Sequence, residues 1–97
     1  MTLAALPIAA DHPAFDGHFP GAPVLPGVVL LDETIRAIEL TAGGELRCWR
    51  VGSVKFLRPV APGETLALEQ ERLASGTVRF TILSAGQAVA TGALAPT

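Results

Sequence analysis

The chain has no tyrosine and only one tryptophan, one methionine, one cysteine and one lysine among its 97 residues. A lone cysteine, Cys48, excludes an intrachain disulfide and a cysteine-based zinc site. It reads as a small buried apolar residue in a chain kept in a reducing compartment such as the cytoplasm. Lys55 is the sole lysine, and seven basic residues are interspersed with nine acidic ones for a net charge of −2. No basic cluster of the kind that grips nucleic acid is present. No apolar run reaches the roughly 18 residues that would cross a bilayer. The opening stretch Met1–Ala10 is apolar but lacks a basic residue and carries Pro7, so it reads as a first strand, not a signal peptide. Charged residues make up 16% and apolar ones 49% of the chain. A chain this short buries about two-thirds of its unfolded surface. Residues 1–97 are therefore expected to form one domain with apolar area left over for a partner subunit.

Glycine and proline are plentiful instead, and they are not spread evenly. Gly17–Gly27 carries Pro20, Pro23 and Pro26 around a single histidine, His18. Each proline fixes φ and pushes the residue before it toward extended geometry, so this loop has lost conformational entropy in advance. It runs into Val28–Thr41, where Val28, Leu31, Ile35 and Ile38 recur at helical spacing beside a polar stripe of Glu33, Arg36 and Glu39. Pro26-Gly27 marks the helix start and Gly43-Gly44 its end. Leu30, Ala37 and Leu40 widen the apolar surface, which predicts a helix covered on most sides by a sheet. After Gly44 everything reads as strand: Glu45–Phe56 with a bulge or close approach at Gly52, Thr65–Leu73, Thr77–Leu83 and Ala88–Leu94, joined by glycine-containing turns. Leu66, Leu68, Val78, Phe80 and Ile82 are the expected inward positions. One helix cannot cover both faces of such a sheet, and a second subunit is the economical cover for what is left.

The run Gly17-His18-Phe19-Pro20-Gly21-Ala22-Pro23-Val24-Leu25-Pro26-Gly27-Val28 resembles the signature of the hotdog-fold 3-hydroxyacyl-acyl-carrier-protein dehydratases. A second block, Val54-Lys55-Phe56-Leu57-Arg58-Pro59-Val60-Ala61-Pro62-Gly63-Glu64, resembles the strand–turn element of the same family, in the same order. The resemblance implies an α+β hotdog fold, with a curved antiparallel sheet around one long helix. It also implies a homodimer, or a larger assembly of dimers, with active sites at the interface. The family's catalytic histidine falls on His18 and its catalytic carboxylate on Asp32, contributed by the other subunit. The amide that polarises the thioester carbonyl falls on Gly27. Phe19, Val24, Pro26, Val28 and Phe56 are then expected along the substrate tunnel. The implied partner is acyl carrier protein, whose phosphopantetheine arm brings the substrate, with no metal or other cofactor. Glu33, about 100° further round the helix, is the alternative carboxylate. The chain departs from common members in being shorter and in lacking a tyrosine gate, which leaves substrate length open.

Loss of water from a 3-hydroxyacyl thioester requires removal of a C2 proton, stabilisation of the enolate and departure of the C3 hydroxyl. Neutral imidazole suits the first task, and free amides at a helix start suit the second. Glycine at position 27 would let the thioester approach its N–H closely. Asp32 either donates the proton to the leaving hydroxyl, provided apolar surroundings keep it protonated, or orients that hydroxyl while His18 moves the proton both ways. Arg58 reads first as a surface charge; pairing with a carboxylate and contact with an acidic carrier are the alternatives. Trp49 and Phe56 are expected in the core or tunnel wall, and His12 and Asp16 in turns. A thioesterase, a double-bond isomerase and a non-catalytic hotdog subunit remain the competing functions. The first is disfavoured by the Gly-His-Phe-Pro loop, the last by the presence of both His18 and Asp32.

Overall fold

A computed structural model describes residues 2–8, 24–41 and 49–96. The elements are β1 (Thr2–Ala5), α1 (Gly27–Thr41), β2 (Trp49–Val51), β3 (Lys55–Phe56), β4 (Leu66–Arg72), β5 (Val78–Ser84) and β6 (Gln87–Pro96). The strands form one antiparallel sheet in the order β1-β4-β5-β6-β2, with β3 also paired to β6. Helix and sheet give the expected α+β architecture.

The helix lies where sequence periodicity places it, with a different side facing the sheet. Leu30, Thr34 and Ile38 are its buried residues, and they join Leu68, Val78, Phe80, Ile82, Val89 and Leu94 in one core. Removing a side chain such as that of Ile38, which is fully buried, costs about 2–5 kcal/mol by transfer and cavity terms. Thr34 was not an expected core residue. Its hydroxyl is tolerated there because Oγ1 donates to the Leu30 carbonyl at 2.8 Å. The opposite side of α1 is not covered by the described strands. Val28, Asp32, Arg36 and Leu40, four residues apart, form an exposed ridge, with Val28 at 73% and Leu40 at 72% exposure. A single sheet reaches round only part of a helix, so the described strands do not give the expected cover on most sides.

The strands follow the alternation. In β4, Leu66, Leu68 and Gln70 point inward; in β5, Val78, Phe80, Ile82 and Ser84 do so. Gln70, the polar inward residue, reaches Thr41 Oγ1 at 3.4 Å. The expected first strand ends early, at Ala5, with Leu6 N–H still bonded to the Leu66 carbonyl at 3.0 Å. Pro7 follows and has no N–H to extend the ladder. The long strand expected before Phe56 is broken into β2 and β3. Val51 pairs with Leu94 and Lys55 with Thr91, so residues 52–54 face residues 92–93. This is a bulge at Gly52, whose N–H donates to the Ala93 carbonyl at 2.8 Å. Residues 45–48, including Cys48, lie outside the described residues.

Candidate active site

The start of α1 and the end of β3 meet across an apolar cleft. Its volume is about 580 Å³, and it is walled by Val24, Leu25, Pro26, Gly27 and Leu30 on one side and by the segment from Phe56 to Val60 on the other. That size suits a small-molecule arm or acyl chain. A backbone bond from Leu25 N–H to the Val60 carbonyl, 2.8 Å, ties the two walls together. The second wall is fixed to the sheet by Leu57 N–H on the Val89 carbonyl at 2.8 Å. The two sequence blocks are thus brought into one structure at their Val24–Gly27 and Phe56–Val60 ends.

The helix start is polarised and carries no competing charge. Helical bonding begins with the Val29 and Leu30 amides on the Pro26 carbonyl, at 3.0 and 3.1 Å. The Gly27 and Val28 amides precede it, and no acidic residue occupies the first turn. Gly27 is close to Phe56: a Cβ at position 27 would come within 2.9 to 3.1 Å of three ring atoms. Ring contact is therefore a second reason for glycine here, one that motif reading did not supply. The Phe56 ring is half exposed and forms cleft wall, not core.

The remaining site candidates are dispersed. Val24, Pro26, Gly27 and Phe56 line the cleft. Val28 is not among the cleft residues of the single chain; it stands on the exposed ridge, a 100° turn away from Gly27. Asp32 lies on the same ridge, 65% exposed, with its carboxylate 3.5 Å from Arg36. Five residues of helix put Asp32 roughly 7–8 Å along the axis from Gly27 and on another face. His18 and Phe19, with His12 and Asp16, lie outside the described residues. Glu33 is half-buried beside the ridge. Among the described residues no three His, Cys, Asp or Glu side chains come together as a metal site, and no helix is long and apolar enough to cross a membrane.

One cluster behind the cleft wall was not singled out from sequence. Glu64 accepts from both Arg58 nitrogens, Nη2 at 2.7 Å and Nη1 at 3.3 Å, from Ala61 N–H at 2.6 Å and from Ser84 Oγ at 2.8 Å. The Arg58 fork, then the Ala61 amide and the Ser84 hydroxyl, lower the Glu64 pKa to about 2 against a smaller opposing effect of burial. Arg58 is thus an ion-pair partner as well as a cleft residue, and the surface-charge reading is corrected. The signal was a basic and an acidic residue flanking Pro59–Gly63. Ala61 to Glu64 is a β-turn with Pro62 and Gly63 in its centre, Gly63 at φ 84°, which brings the two charges together.

One helix against a curved antiparallel sheet, with an apolar cleft at the helix start, is the architecture of the hotdog dehydratases and thioesterases. Within that class, residues 2–93 match the model of the ApeI-like family, described as ApeI dehydratase, and the chain belongs to this family. The dehydratase heterocomplex ApeI:P from Xenorhabdus doucetiae superposes with a TM-score of 0.80 at 27% identity, over 97% of this chain and 84% of that one. A thioesterase from Thermus thermophilus, complexed with coenzyme A and zinc, shares the fold alone, at a TM-score of 0.58 and 15% identity. Among curated sequences, the 3-hydroxyacyl-[acyl-carrier-protein] dehydratase FabZ of Mannheimia succiniciproducens is 41% identical across 63% of this chain and 46% of its own length. FabZ of Haemophilus ducreyi is 34% identical across 91% of this chain and 62% of its own. The chain spans about half the length of the first of these relatives.

Proposed function

We propose that residues 1–97 form a single domain that dehydrates 3-hydroxyacyl thioesters carried on acyl carrier protein, releasing water and a trans-2-enoyl thioester. The observation that carries this reading is the junction of the two sequence blocks at an apolar cleft on the N-terminus of α1, in a chain of a dehydratase family. The thioester carbonyl takes the Gly27 amide, where the helix dipole favours the oxygen's developing negative charge. The His18 imidazole takes the C2 proton. The C3–O bond breaks, and the oxygen leaves as water with a proton from Asp32 or returned by His18. Asp32 comes from a second subunit, in a homodimer that covers the exposed ridge of α1. No metal or redox group takes part, and the phosphopantetheine arm arrives with the substrate. The pathway is fatty-acid or polyene-type lipid synthesis in the cytoplasm.

A second reading has a specific observation in its favour. The structure of 0.80 TM-score is a dehydratase heterocomplex, so activity here would require a different hotdog partner. Purified protein incubated with 3-hydroxyacyl carrier-protein substrates of several lengths, and products resolved by mass spectrometry, tests both. Water loss by the protein alone supports the homodimer; water loss only after adding a partner hotdog subunit supports the second reading. Release of free thiol without water loss would replace both with a thioesterase.

A further inference from the structure

We infer that Glu64 is a positioning residue for the cleft, holding the helix start and the Phe56–Val60 wall at their working separation. Each Glu64 oxygen accepts two bonds. Oε1 takes Arg58 Nη2 and Ser84 Oγ, and Oε2 takes Ala61 N–H and Arg58 Nη1. Ser84 ends β5, so the carboxylate joins the turn at residues 58–61 to the sheet. Val60 lies in that turn, is buried, and its carbonyl receives the Leu25 N–H at 2.8 Å. Leu25 stands two residues before Gly27, where α1 begins. A continuous set of short bonds therefore runs from the sheet through Glu64 and Val60 to the amide at the head of the helix. Among the described residues, Arg58 is the one charged side chain that lines the cleft. Its guanidinium is held by Glu64 and also donates to the Pro59 carbonyl at 2.9 Å. Arg58 is thus kept along the wall, and the cleft stays open to an apolar arm.

The effect on turnover rests on the dehydratase reading; the effect on geometry does not. Glu64→Gln keeps the volume and turns an N–H2 toward donors that need an acceptor. Ser84→Ala removes one bond of four. Glu64→Asp keeps the charge one methylene short. Amide resonances of Leu25 and Gly27, read by nitrogen-15 NMR, should shift in Glu64→Gln, less in Ser84→Ala, with those of β6 unmoved. Turnover, assayed well below each variant's melting temperature, should show KM raised at least fivefold in Glu64→Gln with kcat within twofold, and partial rescue in Glu64→Asp. A residue that only stabilises the fold would lower the melting temperature and leave KM of the folded fraction unchanged. Unshifted Leu25 and Gly27 amides, or, where the wild type is active, an unchanged KM in Glu64→Gln, overturns the inference. A wild type that fails to turn over both alone and with a partner hotdog subunit refutes the dehydratase reading, while the resonances still decide the positioning role.

Discussion

The Phe56 ring occupies the space that a side chain at Gly27 would fill, with Cζ 2.9 Å from the Cβ that Gly27 lacks. The two residues belong to different sequence blocks and sit on opposite walls of one cleft. Ring contact is one demand for glycine at position 27; access of a thioester to its amide is the second, proposed one. They are separable. Gly27→Ala should cost about 1–2 kcal/mol in urea unfolding, limited because the half-exposed ring can swing aside. Gly27→Ala with Phe56→Leu should regain most of that stability. Turnover of the double variant should stay at least tenfold down, because a methyl beside the amide still obstructs the thioester. Full recovery of turnover would leave ring contact as the sole reason for glycine.

The Glu64 carboxylate makes acid stability measurable. Its folded pKa, about 2, lies below the ordinary glutamate value of 4.5. A depressed acid contributes stability that is complete above the unfolded pKa and is lost as pH falls toward the folded one. Between pH 5 and pH 2 the protein should therefore lose about 1–2 kcal/mol through this group, discounted for the partly open Arg58 partner. Glu64→Gln should flatten that portion of the curve. Chemical denaturation across the interval checks it, and an unchanged slope would remove Glu64 as the origin.

The chemical role proposed for Asp32 is separable from folding. Its bond to Arg36 is long and open to solvent, a pair worth little. Asp32→Asn should change stability by less than about 0.5 kcal/mol. Dehydration should fall by about two orders of magnitude, as expected for loss of an acid–base group. Near-full turnover would end any proton-donating role.

The exposed ridge of α1 should be an interface. Val28→Glu and Leu40→Glu place charge on apolar surface that is already open in the single chain, so folding should persist by circular dichroism. Sedimentation should move from dimer to monomer, and turnover should fall with it although His18 and Asp32 are untouched. A fully active monomer would refute the two-subunit site.

The hairpin between β5 and β6 turns through Ala85 at φ 51° and Gly86 at φ 80°, a turn that favours asparagine over alanine at its first position. Ala85→Asn should raise stability by about 0.5–1 kcal/mol in thermal or urea unfolding. Destabilisation would mean that the turn conformation differs.

The helix and the inward alternation of β4 and β5 were legible because repeating patterns of 3.6 and 2 residues are local properties of sequence. So was the junction at Gly27, because proline and glycine punctuate the chain where it must turn. The orientation of α1 was not legible. Leu30 and Thr34 face the sheet while Val28 and Leu40 face out, and apolar residues on all sides of the helix gave no way to rank them. The break into β2 and β3 was anticipated at Gly52, but its register depends on the partner strand.

Residue order by itself determined the α+β class, the two motif blocks and the candidates His18, Gly27 and Asp32. Tertiary structure decided that Gly27 meets Phe56, that Glu64 gathers Arg58, Ala61 and Ser84, and that Asp32 is exposed on a ridge away from the cleft wall. Periodicity and turn chemistry are written over a few neighbouring residues. Which side of a helix meets the sheet, and which acid meets which base, is settled only when residues far apart in sequence compete for the same core and the same hydrogen bonds.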